Sequence, residues 1–290
     1  MIDRRQFIGS AAAISAGAAI ISAKPLSAHP STAERLGALD PLETMIRLRS
    51  RTDGALSIAW LEAQREIVID GDIRPFCKLY ALVLTQFRKE EDAYIGNTVE
   101  ITYYCDPQTG ELLEKTIMPG GTEPVDVPIY RAGPQDVRFK KALDEWEKHE
   151  PSKTGSSSNA FAPAAWVHLV RGVHNPSLLG DTVYLRADEY GRVYPDRTKP
   201  PTVFYREWIV WQADARDLLE TDNPDVTSNY SYSAASGLRP WMKMDGVRGH
   251  TMENGVGAKV ARVDQLPPQL IKLLREHDPR GLEAPESYFS

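Results

Sequence analysis

The residues in this sequence best suited to chemistry are polar side chains set into otherwise apolar, strand-like runs. Glu207 and Arg206 interrupt V-F-Y-R-E-W-I-V-W-Q over 203–212. With a period of two, Val203, Tyr205, Glu207, Ile209 and Trp211 share one face, and Phe204, Arg206, Trp208 and Val210 share the other. A carboxylate among such neighbours is costly to bury unless it is paired. If its face lines a cavity, burial raises the Glu207 pKa and equips it as a general acid or base. The plainer alternative is a Glu207 that faces solvent or pairs with an arginine as scaffolding. His168, in W-V-H-L-V-R, shares a face with Trp166 and Val170 and is the second acid/base candidate, although a histidine so placed also serves as an ordinary core or surface residue. The expected chemistry is proton transfer in an isomerisation, hydration or lyase cleavage. Glu207 and His168 would exchange protons, and Arg206 or Arg239 would hold an oxyanion.

A ligand wall is expected from the aromatic residues. Tyr205, Trp208, Trp211 and Trp241 suit an apolar or aromatic small molecule, and suit an ordinary core as well. Trp241 lies in L-R-P-W-M-K-M over 238–244 beside Arg239, which reads either as a lid over a pocket or as a packed closing segment. His250 sits in the Gly-rich R-G-H-T-M-E-N-G, read as a loop, where binding residues concentrate. His168, His174 and His250 could meet around a metal, but their spacing carries no ligand signature, so no metal site is assigned. The sequence contains no phosphate loop, G-x-G-x-x-G, H-E-x-x-H or G-x-S-x-G. Nucleotide use, zincin hydrolysis and the α/β-hydrolase route are therefore disfavoured. The leading expectation is an enzyme with no organic cofactor. The alternatives are a non-catalytic barrel holding a hydrophobic ligand, or an exported metal- or haem-binding protein.

Strands must position these residues. Over 97–105, Val99, Ile101, Tyr103 and Cys105 alternate with Thr98, Glu100, Thr102 and Tyr104, and a second run follows from Leu112 to Met118. Asp106, Pro107 and Gly110 between them predict a β-hairpin. Short strands are expected at 57–61 and 66–69, with a D-G-D turn at 70–72, and a longer one at 75–87. Further strands are expected at 165–172 and 203–212. A second hairpin is expected from 182–187 and 192–194 around Asp188-Glu189-Tyr190-Gly191. The 21 prolines and 20 glycines suit many turns. Helices are expected at 136–150, where Phe139, Ala142, Leu143 and Trp146 form a stripe, at 214–220 behind Asp214, and at 266–277. Residues 41–51 read as helix or, toward their end, strand. The predicted fold is mainly β, an antiparallel curved sheet or lipocalin-like β-barrel with two or three peripheral helices. One domain is expected over 29–290, with a flexible loop at 151–160.

The first residues predict a compartment. Arg4 and Arg5 precede Gln6-Phe7 and a short run rich in Ala, Gly and Ser, which ends at Leu26-Ser27-Ala28. That pattern is a twin-arginine (Tat) export signal over 1–28, so a periplasmic protein that meets the Tat export machinery is expected. The other reading is an N-terminal anchor. Loss of residues 1–28 removes one acid and three bases and takes the net charge from −6 to −8. With no concentrated basic patch, nucleic acid is not an expected partner. No later apolar run is long enough to cross a bilayer. Cys77 and Cys105 could pair in an oxidising compartment or stay as two buried thiols.

With these residues in view, the chain resembles a bacterial family known only as a domain of unknown function, whose members often carry a Tat signal. Tyr103 to Glu111 (Y-Y-C-D-P-Q-T-G-E) resembles the family's D-P-x-T-G-E hairpin. Arg239-Pro240-Trp241-Met242 resembles its P-W-M segment, and Lys259 followed by Leu266-Pro267 resembles its ending. The segment Met118-Pro119-Gly120-Gly121-Thr122-Glu123 departs from the family's usual continuation of the hairpin. The resemblance implies no reaction.

Overall fold

The computed structural model describes residues 30–140, 142–149, 165–201, 203–220 and 222–290. The export signal at 1–28 and the expected loop at 151–160 lie outside the described residues. Among those described there are thirteen strands and five α-helices, where two or three helices were expected.

The mainly-β expectation holds. Ten strands form one antiparallel path: β6 (Tyr130–Phe139), β3 (Ala93–Cys105), β2 (Asp72–Glu90), β1 (Ser57–Ile69), β13 (Gly249–Val260), β12 (Asn229–Gly237), β11 (Val203–Asp214), β10 (Thr182–Tyr194), β8 (Ala165–Val173) and β7 (Ala142–His149). Strand β9 (Ser177–Leu179) hangs on β10, while β4 (Lys115–Ile117) and β5 (Pro124–Asp126) form a separate pair. The sheet curls strongly into a half-barrel. Its outermost strands, β6 and β7, are consecutive in sequence. Phe139 and Ala142 are three residues apart, which limits their separation to about 10 Å and draws the two ends of the sheet together at one corner.

Local chemistry explains most of the elements. At the D-G-D turn, Asp70 and Gly71 take φ of 51° and 84°, a tight hairpin turn of the primed type that sends β1 into β2. Asp106 Oδ1 accepts from the backbone N–H of Gln108 and Thr109, and Gly110 takes φ 74°. The turn forms as expected, but the returning run meets β3 only at Cys105–Leu112 and then pairs with β5.

Two expectations are corrected. Residues 136–149 are not a helix but the end of β6 and all of β7. The helical stripe is overridden by tertiary context: Phe139 is fully buried against Phe87, whereas Trp146 lies on the opposite side, stacked on His168. Asp188–Gly191 is not a turn but the middle of β10, a single strand of 13 residues.

Both faces of β3 are covered. Val99, Ile101, Tyr103 and Cys105 pack against Leu270, Leu273 and Leu274 of α4 (Pro268–His277). Truncating any of these leucines to Ala is worth about 2–5 kcal/mol. Thr98, Glu100, Thr102 and Tyr104 point the other way, into the half-barrel. Cys77 and Cys105 are buried free thiols on opposite faces of the sheet, so they do not pair. Helix α1 (Thr32–Gly37) is closed by a capping box between Ser31 and Glu34. Helix α2 (Pro41–Arg49), capped by Asp40, fills one end of the inner face beside Leu185, Trp211 and Ala213. Helices α3 (Ala215–Leu219) and α5 (Arg280–Glu283) are short, and Asp214 caps α3 as expected. The 3-10 turn Pro240–Met242 covers the other end, where Trp241 packs on Phe76 and Tyr104.

Candidate functional site in the half-barrel lumen

Between the two plugs, the strand register assembles a belt. Arg171 on β8 stands opposite Glu189 on β10, which stands opposite Glu207 on β11. The row continues through Ala234 on β12 to Glu253 on β13, then to Arg65 on β1 and Cys77 on β2. Directly opposed residues share a face, so six adjacent strands each place one member of this row in the lumen, and β2 adds a seventh. Two arginines and three glutamates thereby line one transverse row of the inner surface.

The centre of the belt is the carboxyl pair. Arg171 grips Glu189 with two nitrogens, its Nε donating to Oε2 at 2.7 Å, and Tyr205 donates to the other oxygen at 3.1 Å. Arg171 also donates to the Arg138 carbonyl of β6, at 3.2 Å, and lies 4.2 Å from the centre of the Phe139 ring, so it ties β8 to the far end of the sheet. Tyr205 reaches Glu189 because it crosses Gly191, where a Cβ would lie 2.2 Å from its ring. Glu207 has no arginine within ion-pairing distance among the described residues. Its one hydrogen bond there is from Tyr232, at a long 3.3 Å. Burial, then the neighbouring Glu189, push the Glu207 pKa up to about 8. Burial, with Glu189 and Glu207 nearby, holds the Tyr205 hydroxyl well above its usual range, and burial does the same for Tyr232.

Arg49 enters from α2. The helix is anchored by Lys259, whose Nζ donates to the carbonyls of Arg47 (2.6 Å) and Ser50 (2.7 Å), and by Arg47, which donates to Leu218, Glu220 and Asn223 carbonyls. Burial lowers the Lys259 pKa to about 8, and Asp225 at 3.0 Å offsets part of that cost. So fixed, Arg49 sits with its guanidinium 4.9 Å from the centre of the Phe139 ring. Its Nε is sealed from solvent and has no acceptor among the described residues. Arg49, Glu207, Glu189, Arg171, Met45, Phe139, Ile209 and Trp211 bound a cleft with ≈ 250 Å³ of unfilled space, its open mouth included. The enclosed part has room for about one water at most.

The rest of the lumen is also ionic. Arg65 donates to Glu253 at 2.8 Å, with side chains only 5% and 7% exposed, and its guanidinium lies 4.8 Å from the centre of the Tyr104 ring. Burial works against the Arg65 charge, and Glu253 more than offsets it. Glu100 accepts from Thr102 at 2.7 Å, and burial raises its pKa. Arg239, beside the 3-10 turn, acts electrostatically on Glu100 and Tyr130.

The expected site residues therefore separate. Glu207, Tyr205 and Trp211 share the inner face of β11, with Trp211 3% exposed in the core under α2. Arg239 and Trp241 reach the lumen at its other end. His168 does not join Glu207: it lies on the outer face of β8, stacked on Trp146 at 4.8 Å and bonded to Asp144 at 2.6 Å. The physical reason is parity, because Arg171, three residues on, takes the inner position. Arg206 and Trp208 are on the outer face of β11, where the guanidinium lies 5.5 Å from the centre of the Trp208 ring. His250 is part of β13, not a loop, on the face opposite Thr251 and Glu253. His174 bonds Asp188 outside the lumen. Among the described residues no three potential metal ligands gather. Sequence reading missed Arg49, Arg65, Glu100, Arg171, Glu189 and Glu253. Glu100 and Arg171 stand out as charges within alternating apolar runs, but the Arg65–Glu253 pair joins residues 188 apart and leaves no local trace.

Fold and belt together define a half-barrel with a charged, partly enclosed lumen. Residues 194–290 match the family described as a protein of unknown function (DUF1838). The match contains Glu207, Glu253 and Tyr232, whereas Arg49, Arg65, Arg171 and Glu189 come from the chain before it, and one sheet holds both sets. No curated protein matches the chain.

Proposed function

We propose that this chain is an enzyme that does acid–base chemistry in its lumen without an organic cofactor, with Glu207 as the proton carrier. The observation that supports the reading most is a carboxyl group that lines a cleft, forms no ion pair among the described residues, and has its pKa raised to about 8. Near neutral pH such a group carries its proton and acts first as a general acid. It would give that proton to one atom of the substrate and take one back from a neighbouring atom. That cycle closes for an isomerisation, and for addition or loss of water, with no redox partner. Tyr232 holds the Glu207 carboxyl in place. Phe139, Ile209 and Trp211 supply an apolar wall, so the substrate class is a small molecule with an apolar or aromatic body. Its reacting group enters the narrow part of the cleft and its body stays at the mouth. Export through the Tat pathway to the periplasm belongs to the same reading and rests on Arg4, Arg5 and the run that follows them.

The test is turnover. Substrates would be sought among small hydroxy and carbonyl compounds, and Glu207→Gln should lower kcat by about 10²-fold or more. Unchanged turnover in that variant would sink the proposal. A second reading, a carrier that holds its ligand unchanged, is favoured by the Arg171–Glu189 and Arg65–Glu253 pairs, which leave most of the belt neutralised. Native mass spectrometry of the mature chain separates the two: a small molecule that co-purifies and survives incubation unaltered supports the carrier.

A further inference from the structure

We infer that Arg49 is an anion-binding residue and that the ligand it takes is a small carboxylate, or a planar oxyanion of the same shape. The inference deepens the enzymatic reading, since it concerns the same cleft, but it does not need Glu207 to move protons. Three observations carry it.

The first is the missing acceptor. A buried guanidinium is kept in folded proteins by acceptors that replace its water, because removing the hydration of a charge costs several kcal/mol. Arg171 has Glu189 and the Arg138 carbonyl, Arg65 has Glu253, and Arg47 has three carbonyls. Arg49 is half-buried, has no carboxylate within 4 Å among the described residues, and its Nε is sealed from solvent with no acceptor there. The second is its setting. Lys259 and Arg47 lock the end of α2, so Arg49 is held where it is by contacts that have nothing to do with its own charge. The third is its aim. Arg49 lines the cleft with Glu207, and the partly exposed Ile209 borders it. A guanidinium presents paired donors in a plane, and a carboxylate matches them with two oxygens. The enclosed part has room for about one water, so the carboxylate would sit at the open mouth of the cleft, against Arg49. Bound there, a ligand carboxylate would present its adjacent carbon toward Glu207.

The experiment is isothermal titration of the full mature chain with sodium formate, acetate and benzoate at pH 7 in low-salt, chloride-free buffer. Saturable binding of at least one of the three is expected. Arg49→Met should weaken it by about tenfold or more, Arg49→Lys should weaken it less, and His168→Ala, on the outer face, should leave it within about threefold. Wild-type affinity in Arg49→Met, or no binding of any of the three by the wild-type chain, overturns the inference. If Arg49→Met does not fold, Arg49→Lys decides: wild-type affinity there rejects the paired-donor geometry, and weakened affinity supports it. The two readings fail separately. Anion binding that depends on Arg49 while Glu207→Gln turns over normally keeps the anion site and removes the acid–base role.

Discussion

Glu207 and Glu189 stand directly opposite each other on the inner face, in the antiparallel pairing of β11 with β10. Side chains so placed have Cβ atoms about 4.5–5.5 Å apart, and like charges at that distance repel. Their unequal company resolves the conflict. Glu189 is gripped by Arg171 and Tyr205, whereas Glu207 has only a long bond from Tyr232. A proton on Glu207 removes both its own desolvation cost and the repulsion.

That arrangement sets a pH dependence. The folded-state pKa of Glu207 lies above its unfolded value, so its contribution to stability is fully present below about 4.5 and lost as pH rises through about 8. Glu100 shifts in the same direction, so the comparison must be with Glu207→Gln. Urea unfolding from pH 5 to 9 should show the wild type losing stability relative to that variant by up to about 1.4 kcal/mol per pH unit inside this window. Parallel curves would remove the raised pKa.

The Arg65–Glu253 pair should behave as a unit. Replacing either side chain alone, as in Arg65→Met or Glu253→Gln, strands a buried charge and should cost about 3–5 kcal/mol. The double variant should recover much of that loss. Additive single losses in a denaturant double-mutant cycle would show that the two residues are not coupled.

Gly191→Ala should destabilise the chain by about 1–3 kcal/mol, because the new Cβ meets the Tyr205 ring at 2.2 Å and displaces it from Glu189. Adding Tyr205→Ala to this variant should restore tolerance of the alanine. A Gly191→Ala chain with a wild-type melting curve would mean that the ring does not lie across β10.

His168→Ala should leave turnover within about twofold, since the imidazole lies on the outer face against Asp144 and Trp146, and should cost less than about 1 kcal/mol. A large loss of kcat in this variant would return His168 to the site.

Both thiols should stay silent toward a thiol reagent in the folded chain and react once it is unfolded. Burial pushes both up to about 12, and they face opposite sides of the sheet. A melting temperature that changes with reductant would contradict this.

The alternation in β3, the D-G-D turn, the Asp214 cap and the leucine face of α4 were legible because each is a local pattern. The faces of β11 were legible for the same reason, and so Glu207, Tyr205 and Trp211 could be grouped. Two kinds of information were not local. Whether a face is inner or outer depends on neighbouring strands, and that separated His168, Arg206 and Trp208 from Glu207. Lumen contacts also disguised one strand. Asp188-Glu189-Tyr190-Gly191 has the composition of a turn, but Glu189 is there to meet Arg171, and Gly191 to make way for Tyr205. At 136–149, helix-forming residues were overruled by pairing at the two sheet ends.

The pairing of β1 with β13 joins residues such as Ile58 and Val260 that are about two hundred positions apart. During synthesis β1 emerges well before β13, finds β2 and β3 within a short stretch of chain, and then keeps one edge exposed until β13 is made, about 180 residues later. Arg65 waits on that edge without Glu253. Contacts this remote close slowly, and an unpaired apolar edge is open to association with other chains in the interval. Truncation before β13 should yield aggregate rather than a smaller folded product, and a chaperone that shields β1 would raise the yield of the intact chain.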